Sequence, residues 1–178
     1  AVWRGRSAAR VSTVATGFAA LDERLPAQGW PRVGLIEILI ARVGLGELYL
    51  LLPGLAWLTR LPTARWCAWI SPPYEPFAPA LASHGLVLER VLIVRGTEAA
   101  WAFEQALSSG ACDAALAWLP HIHPRDVRRL QLATERGRTL GVLFRPARAA
   151  QEPSSAILRM TVEPTAQGAR VTILKSRG

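Results

Sequence analysis

Apolar positions along the chain fall into two patterns that alternate, short continuous runs and helical repeats. The continuous runs predict five strands, at 33–40, 66–70, 91–94, 113–119 and 139–144. Between and beside them, helical spacing with cap and stop residues predicts a short helix at 18–25 and four further helices, at 45–61, 77–84, 97–108 and 124–136. Several strands are apolar on both faces and must be covered on both sides. The pattern therefore predicts an α/β fold, a mostly parallel sheet flanked by helices.

The two ends of the chain depart from this alternation. Residues 1–14 show no clear period and are interpreted as an N-terminal arm, followed by a single domain over 15–178. Near the other end, residues 154–162 and 169–174 alternate between apolar and polar positions and are separated by a turn-like segment. This spacing predicts a C-terminal antiparallel β-hairpin at one edge of the sheet.

Composition excludes several classes of protein. With 51% hydrophobic and 19% charged residues the chain is too apolar to be disordered. No apolar run reaches the roughly 18 residues of a membrane span, and no charged leader opens the sequence, so neither a membrane anchor nor a secretory signal is expected. Two cysteines, Cys67 and Cys112, are too few for a disulfide framework and fit a cytoplasmic location. The net charge of +8 permits, without establishing, an acidic or nucleic-acid partner.

An ordered series of short motifs runs from Thr16-Gly17 through Gly34 and Ile36-Glu37-Ile38 to a last strand at 170–175. This series resembles the core of RecA. The resemblance implies a RecA-like core with a nucleotide site after strand 33–40. An active ATPase of this kind needs a glycine-rich loop with lysine and serine or threonine, a carboxylate near magnesium, and a glutamate that orients water.

The positions where the resemblance places these groups hold other residues. The loop keeps two glycines but has a glutamate for the lysine and a leucine for the serine, as Gly44, Gly46, Glu47 and Leu48. Trp118 stands at the place of the magnesium aspartate and Pro73 at that of the catalytic glutamate. A carboxylate about 4 Å from a phosphate costs about 4 kcal/mol at a surface-like dielectric. The sequence therefore predicts a protein that is not an enzyme and holds no nucleotide cofactor and no metal.

Further motifs include Gly46-Glu47-Leu48, Pro72-Pro73-Tyr74 and Ala117-Trp118-Leu119-Pro120. Together they resemble the ImuA family. ImuA proteins are RecA-like, SulA-related accessory proteins of SOS-induced mutagenic translesion DNA synthesis. The resemblance implies a cytoplasmic, non-catalytic adaptor in DNA damage repair. Its expected partners are ImuB, RecA and an error-prone DNA polymerase, with weak or indirect contact to DNA.

Two clusters are candidates for partner contacts. In the arm, Trp3, Arg4 and Arg6 would pack on a partner or on another copy of the chain. On one face of helix 124–136, Arg125, Arg128 and Arg129 would dock an acidic partner or the DNA backbone, and a solvated arginine face is the alternative. The loop after strand 139–144, which would face DNA in RecA, has arginines but no stacking aromatic residue.

Tryptophan is unusually frequent, with seven residues against four phenylalanines and two tyrosines. Those in apolar runs are expected in the core: Trp57, Trp66, Trp69 and Trp118. Trp30 and Trp3 lie outside the predicted elements and would anchor an interface if they are exposed.

Two alternatives to the adaptor stay open. The first is an unorthodox RecA-like ATPase or DNA-binding protein that uses Glu75 or a residue lent by a partner. The second is a SulA-like cell division inhibitor, for which binding to the tubulin-like division protein would be diagnostic.

Overall fold

The computed structural model describes residues 12–44 and 46–177. Nine strands lie in this part of the chain: β1 Thr13–Val14, β2 Trp30–Pro31, β3 Gly34–Ile40, β4 Trp66–Ile70, β5 Val91–Val94, β6 Cys112–Trp118, β7 Leu140–Pro146, β8 Leu158–Thr165 and β9 Gly168–Ser176. The α-helices there are α1 Ala19–Asp22, α2 Leu52–Thr59, α3 Ala78–Ser83, α4 Ala99–Ser108 and α5 Pro124–Gly137. Two short 3-10 helices span Leu88–Arg90 and Ala147–Gln151. None of these helices is both long and apolar enough to cross a bilayer.

Seven strands form one mixed sheet in the order β5-β4-β6-β7-β3-β8-β9. Neighbouring strands are parallel from β5 to β8, and β9 returns antiparallel to β8. The register brings Ile38 of β3 beside Phe144 of β7 and Met160 of β8. All seven residues of β3 are buried, because strands flank it on both edges and side chains cover both faces.

The fold class predicted from the sequence, a RecA-like core, is wrong. The loop after β3 does not lead directly into a long helix: α2 begins only at Leu52 and has eight residues. Pro53 accounts for this start, because proline lacks the backbone N–H and is tolerated best in the first turn of a helix. The protein has instead a mixed sheet with few helices, of which α4 and α5 pack together on one face.

Apolar side chains pack on both faces of the sheet because successive residues of a buried strand point in opposite directions. On one face Ile38 belongs to a cluster with Leu55 of α2. On the other face Leu35 belongs to a cluster with Phe103 of α4 and Leu130 of α5. The pocket described below lies on the first face, and the α4–α5 pair covers the second.

The tryptophans do not all lie where the apolar runs predicted. Trp69 is fully buried, as expected. Trp57 and Trp66 were expected in the core but are 47% and 42% exposed, and Trp57 lies under the guanidinium of Arg32, 5.6 Å from its ring centre. Trp30 is buried in β2 and is therefore not an interface anchor.

Both cysteines are buried and unpaired, and we expect them to be inert in the folded protein. Burial raises the pKa of Cys67 to about 12, and it also raises the pKa of Cys112. Since only the thiolate reacts, a chromogenic disulfide reagent at pH 8 should label neither thiol in buffer and both in denaturant. Rapid labelling of the native protein would contradict this burial.

Candidate functional site

An open pocket of about 240 Å³ lies beside the ends of β3, β4 and β6. These strands are parallel members of one sheet, so their carboxyl ends, and the loops that follow them, meet at one edge. Trp69 near the end of β4, Trp118 at the end of β6 and Leu81 of α3 form its apolar wall. We call this cavity the aromatic pocket.

The six positions interpreted as a lost nucleotide site all line the aromatic pocket: Gly44, Gly46, Glu47, Leu48, Pro73 and Trp118. The indole of Trp118 stacks on Phe144, with ring centres 4.6 Å apart, so aromatic packing occupies the position assigned to a magnesium carboxylate. Glu75, the carboxylate of the ATPase alternative, is 80% exposed and forms an ion pair with Arg95 at 2.6 Å. Its charge is therefore directed to a surface arginine.

Glu47 folds back onto its own loop. The backbone N–H of Gly44 donates to both carboxylate oxygens, at 3.0 and 3.1 Å, and the residue is only 5% exposed. Gly44 and Gly46 have φ angles of +82° and +89°, a left-handed conformation that glycine adopts without steric cost. The carboxylate expected to repel a phosphate is thus bound by the loop.

Two aromatic rings at the mouth of the pocket are exposed, and we call Tyr74 and Phe77 the aromatic lip. They are 63% and 69% exposed. The segment between β4 and α3 contains Pro72, Pro73 and Pro76, whose fixed φ angles restrict the backbone. Sequence analysis missed the lip as a site. The available signal was an aromatic residue between prolines, where neither a helix nor a central strand can form to bury it.

The arginines predicted to form a docking face lie on α5, on the other face of the sheet. Arg125, Arg128 and Arg129 are exposed. Arg129 forms ion pairs with Glu104 of α4 and with Asp126, so part of the cluster is neutralised locally. The other predicted contact residues, Trp3, Arg4 and Arg6, lie outside the described residues.

Two histidines, His121 and His123, flank Ile122 in the loop before α5, and one of them has a structural role. His123 is the N-cap of α5, where its Nδ1 accepts a hydrogen bond from the backbone N–H of Arg125 at 3.3 Å. Over residues 12–44 and 46–177, no three His, Cys, Asp or Glu side chains form a group that would hold a metal ion.

Comparisons with known proteins agree with one another. The family model for the cell division inhibitor SulA matches residues 40–141. The SulA of Photorhabdus laumondii subsp. laumondii is 34% identical over 96 residues, which cover 52% of this chain and 54% of that protein. The SulA of Edwardsiella piscicida is 36% identical over 86 residues, covering 47% and 51%. The chain thus spans about half the length of these two relatives.

A solved structure extends the match to three dimensions. The crystal structure of SulA from Pseudomonas aeruginosa superposes with a TM-score of 0.52 at 26% sequence identity, covering 62% of this chain and 97% of that chain. This match supports SulA in place of the RecA-like core as the fold of the chain.

The identification with ImuA is therefore wrong, and with it the expected role in translesion synthesis and the expected partners ImuB, RecA and a polymerase. The motifs that carried the resemblance, such as Pro72-Pro73-Tyr74 and Ala117-Trp118-Leu119-Pro120, lie within 40–141, the segment that the SulA family model matches. These motifs reflect a fold, and a fold alone does not identify a function. The SulA family model matches more than half of the chain, and the chain therefore belongs to the SulA family of cell division inhibitors.

Proposed function

We propose that this chain is a cytoplasmic inhibitor of cell division that binds the tubulin-like division protein FtsZ and acts by binding, not by catalysis. The observation that carries the proposal is the SulA family match over 40–141, which contains every residue that lines the aromatic pocket. The relatives are named for inhibition of cell division.

The aromatic lip is the surface best suited to this contact. Tyr74 and Phe77 expose large apolar rings three residues apart, and the apolar pocket lies beside them. Exposed aromatic side chains on a restricted backbone bury much area and lose little conformational entropy on binding, which is typical of interface hot spots.

The double variant Tyr74→Ala, Phe77→Ala tests the proposal. Each truncation is expected to weaken FtsZ binding about tenfold, or about 1.4 kcal/mol, and both together about 100-fold. Titration calorimetry of the purified chain with FtsZ measures the dissociation constant, and sedimentation of FtsZ polymers measures inhibition.

Trp101→Ala is the matched control, because Trp101 is similarly exposed, at 61%, and belongs to α4, which packs on the other face of the sheet through Phe103. It should bind FtsZ like the unchanged chain. If Trp101→Ala loses binding while the lip variant keeps it, the contact lies on α4–α5. If the unchanged chain does not bind FtsZ, the proposed function itself is wrong.

A further inference from the structure

The outer face of α5 carries positive charge around an exposed leucine. Leu132 is 48% exposed, and the residues within two helical turns of it on the same face are Arg125, Arg128, Arg129 and Arg136. We call these five residues the arginine face. The residues that α5 buries lie on its opposite side, so Leu132 cannot join the core without rotation of the whole helix.

Two of these arginines are not used within the fold. Arg125 and Arg128 are exposed and form no ion pair with any residue in the described part of the chain. Arg129, by contrast, pairs with Glu104 and with Asp126. Because guanidinium groups bind carboxylates with paired hydrogen bonds, the two unpaired cations are available to carboxylates of another molecule.

An open groove of about 210 Å³ between α4 and α5 adjoins the arginine face. The exposed ring of Trp101 and the side chain of Ile122 line this groove together with Arg129. The carboxylates of Glu104 and Asp126 also belong to its wall. An apolar groove beside unpaired cations suits a segment that carries both apolar side chains and carboxylates.

We propose that the arginine face and the adjoining groove are a second docking surface, which binds an acidic amphipathic segment of a protein partner. An apolar side chain of that segment packs on Leu132, and its carboxylates pair with Arg125 and Arg128. Nucleic acid fits less well, because its continuous line of phosphates would have to pass Glu104 and Asp126.

This docking surface is separate from the aromatic lip. The pocket beside the lip lies on the first face of the sheet, whereas α4 and α5 cover the second. Binding at the arginine face therefore does not depend on the proposed contact with FtsZ.

Fluorescence anisotropy with a labelled peptide tests the docking surface. The probe is a short helical peptide with a central leucine and glutamates one turn to either side. The unchanged chain should bind it at low salt and lose about tenfold in affinity at high salt, because charge pairs at a surface are screened. A scrambled peptide of the same composition should bind more weakly, because its leucine and glutamates no longer share one face.

The double variant Arg125→Glu, Arg128→Glu should weaken peptide binding about 30-fold, since two attractive contacts become repulsive. Its melting temperature should stay unchanged, because neither arginine holds an ion pair in the described fold. Leu132→Ala should weaken binding about fivefold through lost apolar contact. If the double variant does not fold, Arg125→Gln, Arg128→Gln is measured instead, and undiminished binding there refutes the proposal.

The matched control is Arg24→Glu, Arg90→Glu. It makes the same change in net charge at two exposed arginines that lie outside α4 and α5, and it should bind the peptide like the unchanged chain. An equal loss of binding in this control would overturn the proposal, because only net charge would then matter.

Four further results would overturn the docking surface. They are failure of the unchanged chain to bind the peptide, equal binding of the scrambled peptide, tighter binding of single-stranded oligothymidylate through Arg125 and Arg128, and loss of FtsZ binding in the Arg125→Glu, Arg128→Glu variant. The last result would make the arginine face part of the FtsZ contact. The peptide assay contains no FtsZ, so its result is separate from that of the proposed function.

Discussion

Replacing Glu37 by alanine is expected to lower the free energy of unfolding by about 3–5 kcal/mol. Glu37 lies in the central strand β3 and is fully buried. Its two oxygens accept from Arg145 Nη1 at 3.0 Å and from Arg159 Nε at 2.6 Å, and both arginines are themselves buried. Removal of the carboxylate leaves two interior cations without their shared counter-ion.

The rest of the network ties this ion cluster to the loops around it. Arg145 also pairs with Glu152 at 2.5 Å and donates to the Ile122 carbonyl, while Arg159 donates to the Ala149 carbonyl. The hydrogen bond from Arg145 lowers the pKa of Glu152. Because the lowered pKa belongs to the folded state, this contribution is present at neutral pH and is lost as the pH falls through that value.

Urea unfolding followed by circular dichroism measures the effect. The control is Glu75→Ala, which breaks an exposed ion pair with Arg95 and should cost less than about 1 kcal/mol. A triple replacement of Glu37, Arg145 and Arg159 by leucine or methionine should recover most of the lost stability, because no unpaired charge stays buried. Equal stabilities of Glu37→Ala and Glu75→Ala would contradict the role assigned to the network.

Gly137→Ala is expected to destabilise the protein by about 3 kcal/mol, although alanine is normally the better helix former. A Cβ at Gly137 would lie 2.0 Å from the carbonyl oxygen of Leu107 and 2.9 Å from its carbon. Both are backbone atoms at the end of α4, so neither can rotate away. The two helices would have to separate.

Gly110→Ala is the matched control for the Gly137 variant. A Cβ at Gly110 meets nothing within 4 Å, and only its φ of +73° disfavours alanine, at a cost of about 1 kcal/mol. Thermal unfolding of the two variants compares the stability lost through the steric clash at position 137 with the stability lost through the left-handed backbone at position 110. A Gly137→Ala protein as stable as the original would show that the helices do not approach so closely.

The local pattern of apolar positions predicted most of the helices and strands. It could not predict contacts between residues that are distant in sequence. The apolar run at 113–119 corresponds to β6, and proline marked the start of α5. Glu37 was visible as a lone charge in an apolar strand, but its partners are 108 and 122 residues away. Arg145 was accordingly placed in a loop facing DNA, whereas it is buried at the end of β7.

Glycine at a helix end shows the same limit. Gly137 was read as the stop signal of helix 124–136, but α5 includes it, and the left-handed residue after the helix is Arg138, with φ +52°. Gly137 is needed because the backbone of Leu107 at the end of α4 lies against it. The two residues are 30 positions apart in the sequence, so a local helix-stop signal cannot reveal their contact.

For the candidate site, the sequence drew attention to the loop after β3 and to Pro73 and Trp118, which line one pocket, but interpreted them as the lost nucleotide site of a RecA-like core, a fold that is wrong. The exposed rings beside them were not identified, because burial of an aromatic residue depends on what packs against it. Trp57 and Trp66 show the converse, since apolar neighbours in sequence did not bury them.

The three prolines beside the aromatic lip have a kinetic consequence. A segment already held in one shape needs no slow rearrangement before a partner can settle on it. The association rate would then be set by diffusional encounter with the partner, and not by the ordering of the proline-containing segment. Truncation of either ring should shorten the lifetime of a complex while its rate of formation stays nearly constant.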